Sequence, residues 1–231
     1  ASCRARKGKS RLQNLPRALE LFSGTGSVRK RLTGWEVTSL DNDPKAAADI
    51  CCDICAWDYR AYPPGHWDYV HASPVCTEFS RALTARPRDL AAGDRLVDRV
   101  LEILIYFRPR WWTIENPDSY MKTRPNMQHL RTFMKRCCYC MYSDDETHAY
   151  RKPTCIWTNI PWEPRPMCTK AAPCRWRDES GAHPKVAQKG PSGSGAARGN
   201  KNTRRELYSM PPALVDEWVT GMGASVWVNR F

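Results

Sequence analysis

Residues 19–27 have the sequence Leu-Glu-Leu-Phe-Ser-Gly-Thr-Gly-Ser. The apolar run Ala18–Leu21 predicts a short buried strand, and the glycines after it predict a tight turn that leads into a helix over Val28–Leu32. A strand that enters a Gly-x-Gly turn at the start of a helix is typical of sites that cradle a phosphate or a ribose. A purely structural turn has the same local pattern, so the rest of the chain has to distinguish the two.

Apolar runs alternate with loops and helical patterns along the next two thirds of the chain. The sequence predicts a helix from Gly93 to Phe107, where apolar residues recur at helical spacing, and a final helix over Pro212–Val219. Strands are predicted at Glu36–Leu40, Trp67–Ala72, Trp111–Glu115 and Thr154–Thr158. Strands separated by helices indicate an α/β, Rossmann-like fold, with a mostly parallel sheet and helices on both faces.

Two carboxylates follow consecutive predicted strands. Asp41 stands at the end of the second strand, where doubly wound folds place an acid that accepts the ribose hydroxyls. Asp53 follows a third, shorter apolar run and is a candidate acceptor for an adenine amino group. This pair favours a neutral adenosine over the phosphates of a dinucleotide. The alternative is that both are ordinary turn carboxylates.

The glycine turn resembles the first motif of the cytosine-5 DNA methyltransferases, whose signature is Phe-x-Gly-x-Gly, and further motifs follow in the family's order as far as Thr158. The resemblance implies a methyltransferase fold with S-adenosylmethionine as cofactor, the ring of Phe22 on the adenine, and the backbone after it along the methionine part. The predicted cofactor-binding residues are Phe22, Ser23, Gly24, Thr25, Gly26, Ser27, Asp41, Asn42, Asp53, Ile54 and Pro74.

Cys76 is the predicted nucleophile. It follows a strand in Ser73-Pro-Val-Cys76 and is therefore presented at the carboxyl edge of the sheet, where this architecture binds ligands. Carbon 5 of cytosine is a weak nucleophile until a thiolate adds to carbon 6, and an acid must then assist at ring nitrogen 3. Glu115, at the end of its strand, is the candidate acid. The resemblance supports both residues, because the family has a Pro-Cys and a Glu-Asn motif at these points.

The chain departs from the family pattern at three places. Val75 stands where the family usually has proline, and Pro117 replaces the valine of Glu-Asn-Val. The later Gln-x-Arg-x-Arg motif is represented by Tyr150-Arg-Lys-Pro-Thr154, in which Lys152 takes the place of one arginine. Lys152 is the third predicted catalytic residue. These changes bear on transition-state stabilisation and leave the nucleophile and the acid in place.

A small irregular segment, residues 161–205, carries Cys168, Cys174 and His183 among basic residues. Cysteines and a histidine crowded into a loop with no apolar core of its own favour a structural zinc, which would replace the missing apolar burial, and Cys140 is the predicted fourth ligand. Scattered thiols with a surface histidine are the alternative.

Cys137 and Cys138 are rival candidates for that fourth ligand. Eleven cysteines are an odd count, and the chain shows no secretory signal. The sequence therefore favours reduced thiols inside a cell over a disulfide scaffold.

Positive charge is concentrated in two regions. The net charge is +12, from 36 Lys and Arg against 24 Asp and Glu, and the excess lies mainly in residues 1–17 and 165–205. This distribution favours a polyanionic partner over simple solubility. The predicted organisation is a basic tail (1–16), a catalytic cofactor-binding domain (17–160), a basic substrate-recognition segment (161–205) and a returning C-terminal helix (206–231). No apolar stretch is long enough to predict a membrane span.

The resemblance implies a DNA (cytosine-5)-methyltransferase that flips its target cytosine out of the duplex and attacks it with Cys76. We expect it to act at DNA inside the cell, in the nucleus if the source is eukaryotic, and not to be secreted. The segment left for reading DNA is small, so a short or relaxed target site is expected. An RNA enzyme of the same chemistry and a catalytically silent DNA-binding module are the alternatives. An amino-directed methyltransferase would need a Pro-Pro-aromatic motif where Val75-Cys76 stands.

Overall fold

Seven strands form one sheet in this computed structural model, which describes residues 15–187, 200–201 and 204–224. The strands are β1 (Arg17–Leu21), β2 (Glu36–Asp41), β3 (Ile50–Cys51), β4 (Tyr69–Ala72), β5 (Trp111–Pro117), β6 (Met134–Cys138) and β7 (Pro153–Thr158). Their order is β3-β2-β1-β4-β5-β7-β6. The first five in this order run parallel, and β7 is antiparallel to both of its neighbours. The predicted mostly parallel sheet is confirmed.

The reversal of β7 decides which residues meet at the carboxyl edge of the parallel strands. Because β7 runs antiparallel to β5, its first residues lie opposite the last residues of β5, with Pro117 paired to Thr154. β6 ends at the same edge, since Cys138 pairs with Pro153. Residues that follow β4, β5 and β6, and residues that precede β7, therefore converge on one edge.

Helices cover both faces of the sheet, as predicted. The helices are α1 (Leu90–Phe107), α2 (Arg204–Tyr208) and α3 (Pro212–Ala224). Successive strand side chains point to opposite faces, so Leu19 joins the core beneath α1 while Ala18 joins the core beneath α3. On the α3 side the buried helix residues include Leu214 and Trp218. None of the helices in the described ranges is long and apolar enough to cross a bilayer.

Helix α1 has clear signals at both ends. The Asp89 carboxylate accepts the Ala92 N–H at 2.8 Å and caps its first turn. Arg108 adopts a left-handed conformation, with φ 49°, and ends the helix one residue before Pro109.

The predicted helix over Val28–Leu32 is reduced to one turn of 3₁₀-helix, Arg29–Arg31. Only four residues separate this turn from β2, and Gly34 turns the chain with φ 81°. The buried Glu20 carboxylate accepts the N–H groups of Val28 and Arg29, each at 3.0 Å, and so satisfies the donors at the start of the turn.

Strand β6 was absent from the sequence prediction. It contains Lys135 and Arg136 and occupies the edge of the sheet, where one side of the strand needs no partner and charged side chains are tolerated. The segment after β7 is largely irregular as far as residue 187, apart from β8 (Lys185–Val186), which pairs with β9 (Asn200–Lys201).

Candidate active site

The glycine loop after β1 has an unusual backbone. Phe22, Gly24 and Gly26 all have positive φ, at 57°, 47° and 65°. Glycine tolerates this conformation, whereas for the phenylalanine it costs on the order of 1 kcal/mol. The Ser23 N–H donates to the Leu40 carbonyl at 3.1 Å, which fixes the loop against β2. The hydrogen bond to β2 thus helps to hold Phe22 in its strained backbone conformation.

Asp41 is held against this loop. Its carboxylate accepts the Gly24 N–H and the Asp43 N–H, both at 2.8 Å, and Asn42 is exposed beside it. Asp53 is exposed and accepts the Cys55 N–H at 2.8 Å. Each carboxylate oxygen has a second lone pair, so both acids keep acceptor capacity for a ligand at the ends of β2 and β3.

The other predicted cofactor contacts are spread around the loop. Ser23, Thr25 and Gly26 line a cavity that Arg29 and Lys30 also border. The hydroxyl of Ser27 accepts the Met210 N–H at 3.0 Å and lies 2.8 Å from the Thr25 hydroxyl.

Two predicted cofactor contacts offer little side chain to a ligand. The side chain of Ile54 is buried in the core beneath α1, and Pro74 is buried too. Contact with either residue would have to involve backbone, or the small part of Pro74 left accessible.

Cys76 is half-buried in the loop after β4. Asn116 donates its amide Nδ2–H to the Pro74 carbonyl at 2.8 Å, and Ser119 donates its hydroxyl to the Phe79 carbonyl at 2.5 Å. The ring of Phe79 packs directly on the backbone of Gly93 in α1. The nucleophile loop is therefore fastened on both sides, to the end of β5 and to the first turn of α1.

Burial raises the pKa of the Cys76 thiol. The Lys152 ammonium opposes this and lowers that pKa, whereas the Glu115 carboxylate raises it further. The three predicted catalytic residues are thus close enough for their charges to interact. A base must accept the thiol proton before Cys76 can act as a nucleophile, and a nearby cation stabilises the thiolate that results.

Glu115 is buried, and its Oε1 accepts the Tyr139 hydroxyl at 3.0 Å. Lys152 donates to the Leu207 carbonyl at 3.2 Å, and its ammonium lies 4.4 Å from the centre of the Tyr139 ring. Glu115 lies in β5 one residue beyond its parallel pairing with β4, Lys152 precedes β7 and Tyr139 follows β6. The antiparallel pairing of β7 with β5 and β6 brings these three residues together.

Sequence reasoning missed three residues that shape this site. Asn116 stands in the Glu-Asn-Pro motif, so its proximity to the nucleophile loop was within reach of motif analysis. Ser119 and Tyr139 carried no such signal, because their partners Phe79 and Glu115 are 40 and 24 residues away.

The four predicted metal ligands form one cluster. The ligand atoms of Cys140, Cys168, Cys174 and His183 all lie within 4.8 Å of one another. His183 Nε2 is 3.2 Å from Cys174 Sγ and 3.6 Å from Cys168 Sγ. Zinc bonds of about 2.3 Å to sulfur and 2.0 Å to nitrogen place tetrahedral ligands roughly 3.5–3.8 Å apart. The donor set and its spacing therefore fit zinc.

The structure distinguishes Cys140 from its two rivals. Cys137 is buried in the apolar cluster beneath α3 and is not among the four grouped ligands. Cys138 Sγ lies 3.4 Å from Cys140 Sγ at the border of the cluster, outside the compact set of four.

Comparison with known proteins gives both distant and closer similarities. No family model matches the chain. A structure from E. coli named as a "putative DNA modification methyltransferase encoded within prophage" is 12% identical with a TM-score of 0.45, over 66% of this chain and 52% of that one. The Dnmt2 methyltransferase of S. pombe is 14% identical with a TM-score of 0.44, over 62% of this chain and 49% of that one. The chain spans about half the length of each of these structures.

A curated relative is much closer. The probable DNA (cytosine-5)-methyltransferase of Frog virus 3 (isolate Goorha) is 32% identical over 230 residues, which cover 87% of this chain and 97% of that protein. Similarity of this extent, together with a mostly parallel α/β sheet that carries a cysteine and a glutamate at one edge, identifies the family. The chain belongs to the DNA (cytosine-5)-methyltransferases.

Proposed function

We propose that the protein transfers a methyl group from S-adenosylmethionine to carbon 5 of cytosine in DNA, through a covalent adduct on Cys76. The observation that carries this proposal is the joint position of Cys76, Glu115 and Lys152 at the carboxyl edge of the sheet, with mutual electrostatic effects on the thiol. The name of the viral relative supports the reaction and the DNA substrate.

Cys76 acts as the nucleophile. Its thiolate forms a bond to carbon 6 of the cytosine, and the electron pair of the 5,6 double bond moves into the ring toward nitrogen 3. As carbon 5 then takes the methyl group, nitrogen 3 returns its proton to Glu115. Loss of the proton from carbon 5 to solvent base and departure of the Cys76 thiolate then restore the 5,6 double bond, so that the enzyme is regenerated.

Glu115 supplies the proton at ring nitrogen 3 while negative charge develops there. Lys152 is placed to favour the Cys76 thiolate, since its charge lowers the pKa of that thiol. Cys76 is thus the nucleophile, Glu115 is the acid, and Lys152 stabilises the thiolate through its charge.

S-adenosylmethionine would supply an electrophilic methyl group on a sulfonium and leave as S-adenosylhomocysteine. The glycine loop fits such a cofactor because its positive-φ backbone leaves a cradle without side chains at Gly24 and Gly26. Asp41 and Asp53 would accept hydrogen bonds from the ribose hydroxyls and the adenine amino group. Phe22 would offer its ring to the adenine.

DNA would reach this edge with the target cytosine rotated out of the duplex, because carbon 6 is inaccessible while the base is stacked. A net charge of +12 supports binding to phosphates, and residues 161–205 are the segment that we assign to substrate recognition. A DNA substrate also places the action of the protein at intracellular DNA, in the nucleus if the source is eukaryotic.

We infer a structural zinc at Cys140, Cys168, Cys174 and His183, supported by the fit of these four ligand atoms to one ion. The ion would tie the segment after β7 to the turn after β6. Such a segment buries little apolar surface of its own, so a metal would supply stability that packing does not.

The decisive experiment uses a duplex that contains 5-fluorocytosine. Fluorine replaces the proton that must leave carbon 5, so the reaction stops at the methylated adduct. The wild-type protein should form a denaturation-resistant covalent complex only with S-adenosylmethionine present. Cys76→Ser should abolish both trapping and methylation of ordinary DNA. Glu115→Gln should slow methylation by about 10²-fold or more.

Cys51→Ser is the matched control, because Cys51 is an exposed cysteine in β3 whose loss removes a thiol without touching the nucleophile loop. It should trap as the wild type does. Methylation by Cys76→Ser at a rate near that of the wild type would refute the thiolate mechanism. Trapping on RNA but not on DNA would assign the same chemistry to the other nucleic acid.

A further inference from the structure

Tyr139 is a buried residue in direct contact with the proposed acid. It begins the 3₁₀ turn Tyr139–Met141 directly after β6, and its side chain is fully buried. Its hydroxyl donates to Oε1 of Glu115 at 3.0 Å. Within the described part of the chain, this is the side-chain hydrogen bond that Glu115 receives.

Tyr139 is itself held from several directions. Its backbone N–H donates to the Lys152 carbonyl at 3.2 Å, and its carbonyl accepts the Tyr142 N–H at 2.9 Å. The Lys152 ammonium lies over one face of the ring at 4.4 Å from its centre, and the His148 ring meets it edge-on with centroids 6.2 Å apart. A phenol fixed at both ends is a rigid donor.

A carboxyl group that must deliver a proton needs a defined orientation. The terminal torsion of glutamate is broad and roughly two-fold, so without a partner the two oxygens exchange positions and the plane of the group varies. A donor fixed on Oε1 sets that plane and leaves Oε2 as the oxygen that can carry the proton. Positioning of this kind is worth a substantial part of a catalytic barrier.

We infer that Tyr139 is a positioning residue that orients Glu115 for proton donation to the cytosine. This inference rests on the proposed function and adds a residue that lies outside the cysteine and glutamate motifs. It also gives a role to the reversed strand β7, since the pairing of β7 with β5 and β6 is what places Tyr139 beside Glu115.

Tyr139→Phe tests the inference, because it removes the hydroxyl and keeps the ring. The single-turnover rate of methylation should fall by about 10- to 100-fold. The KM for S-adenosylmethionine and the Kd for DNA should stay unchanged, since Tyr139 acts on the proton and on neither ligand. Rates are to be expressed per enzyme that binds S-adenosylmethionine, measured by calorimetry, so that partial misfolding cannot imitate the effect.

The same substitution is then made in the Glu115→Gln protein, and the double variant is compared with the two single variants. If Tyr139 acts through the acid, its substitution should cost little more once the acid is gone, and the two effects should be far from additive. Additive losses would overturn the inference. So would a Tyr139→Phe protein that methylates at the wild-type rate while Glu115→Gln is slow. If Glu115→Gln itself were not slow, the proposed function would fail instead.

Tyr142→Phe is the matched control. Tyr142 is an equally buried tyrosine three residues along the same segment, but its hydroxyl accepts the Arg165 N–H at 2.7 Å and does not meet Glu115. Its loss should lower the unfolding temperature about as much as Tyr139→Phe does and leave the methylation rate within about twofold of the wild type. A control as slow as Tyr139→Phe would show that the effect is structural, and would overturn the inference.

Discussion

Lys152 joins the two halves of the proposed chemistry. Its charge acts on the Cys76 thiol, and its ammonium covers the ring of Tyr139, which in turn holds Glu115. Lysine presents a compact charge on a flexible stem, whereas arginine presents a planar fork with five donors. Lys152 is therefore suited to an electrostatic role and less suited than an arginine to bidentate recognition of a substrate.

Removal of this charge should change the pH dependence of Cys76. Because burial already raises the pKa of the thiol, the thiolate fraction grows as pH rises through the alkaline range. Lys152→Met removes a group that lowers this pKa, so the same thiolate fraction should appear only at higher pH. The measurement is the rate of alkylation of Cys76 by iodoacetamide from pH 6 to pH 10, followed by peptide mass spectrometry.

Lys45→Met serves as the control, since Lys45 is an exposed lysine that follows β2 and is not among the charges that act on Cys76. Its alkylation profile should overlay that of the wild type. A Lys152→Met profile that moves to lower pH, or does not move, would contradict the assigned role.

At the level of elements, helix α1 and the nucleophile loop are in unusually close contact. The loop can approach because position 93 has no side chain: a Cβ there would lie 2.7 Å from Cζ of the Phe79 ring. Phe79 is buried and cannot swing into solvent without opening the core. The spacing between helix and loop is thus set by one glycine.

Gly93→Ala should displace Phe79 and, with it, the turn that begins at Cys76. We expect a loss of about 1–3 kcal/mol in the free energy of unfolding, as for other overpacked sites, and a larger fractional loss of methylation than of S-adenosylmethionine binding. Urea unfolding and calorimetry measure these effects. The same change at Gly223 in α3, where a Cβ would meet nothing within 4 Å, should be neutral or slightly stabilising. Equal effects at both glycines would argue against the contact.

The sequence predicted the elements whose signals are local and missed those that depend on pairing. The apolar runs of β1, β2, β4, β5 and β7 and the helical spacing of α1 needed no tertiary information. Strand β6 contains two basic residues and becomes a strand because β7 lies beside it. Residue type and motif order were enough to predict that Cys76 lies near Glu115 and that Cys140 groups with Cys168, Cys174 and His183, while the roles of these residues stay predictions. The contact of Tyr139 with Glu115 was not predictable, because nothing near Tyr139 in sequence marks a partner 24 residues away.

On the scale of the whole molecule, the cysteine–histidine cluster links regions that are distant along the chain. Cys140 belongs to the turn after β6, while Cys168, Cys174 and His183 belong to the segment beyond β7. All three cysteines are buried although the segment around them is largely irregular. A bound ion would therefore contribute to global stability as well as to local order.

If zinc is bound, protein prepared under reducing conditions should contain close to one zinc per chain, and chelation should lower the unfolding temperature. Cys174→Ser should release the metal, because three remaining ligands hold zinc much less tightly than four. Cys52→Ser, in the loop after β3 and outside the cluster, should retain it. Elemental analysis that finds no metal in the freshly prepared wild-type protein would refute the zinc assignment.

Helix α3 covers the face of the sheet that carries Ala18, and it also contacts the glycine loop region, through the Arg31–Asp216 ion pair at 2.7 Å. Trp218 stacks on His71 with ring centroids 5.9 Å apart. On a ribosome, β1 (ending at Leu21) emerges about 190 residues before its covering helix (beginning at Pro212). At about 5–20 residues per second, some 10–40 s pass between the two. For that time the nascent chain carries an uncovered apolar sheet face, which makes it a client for chaperones that bind such surfaces during translation.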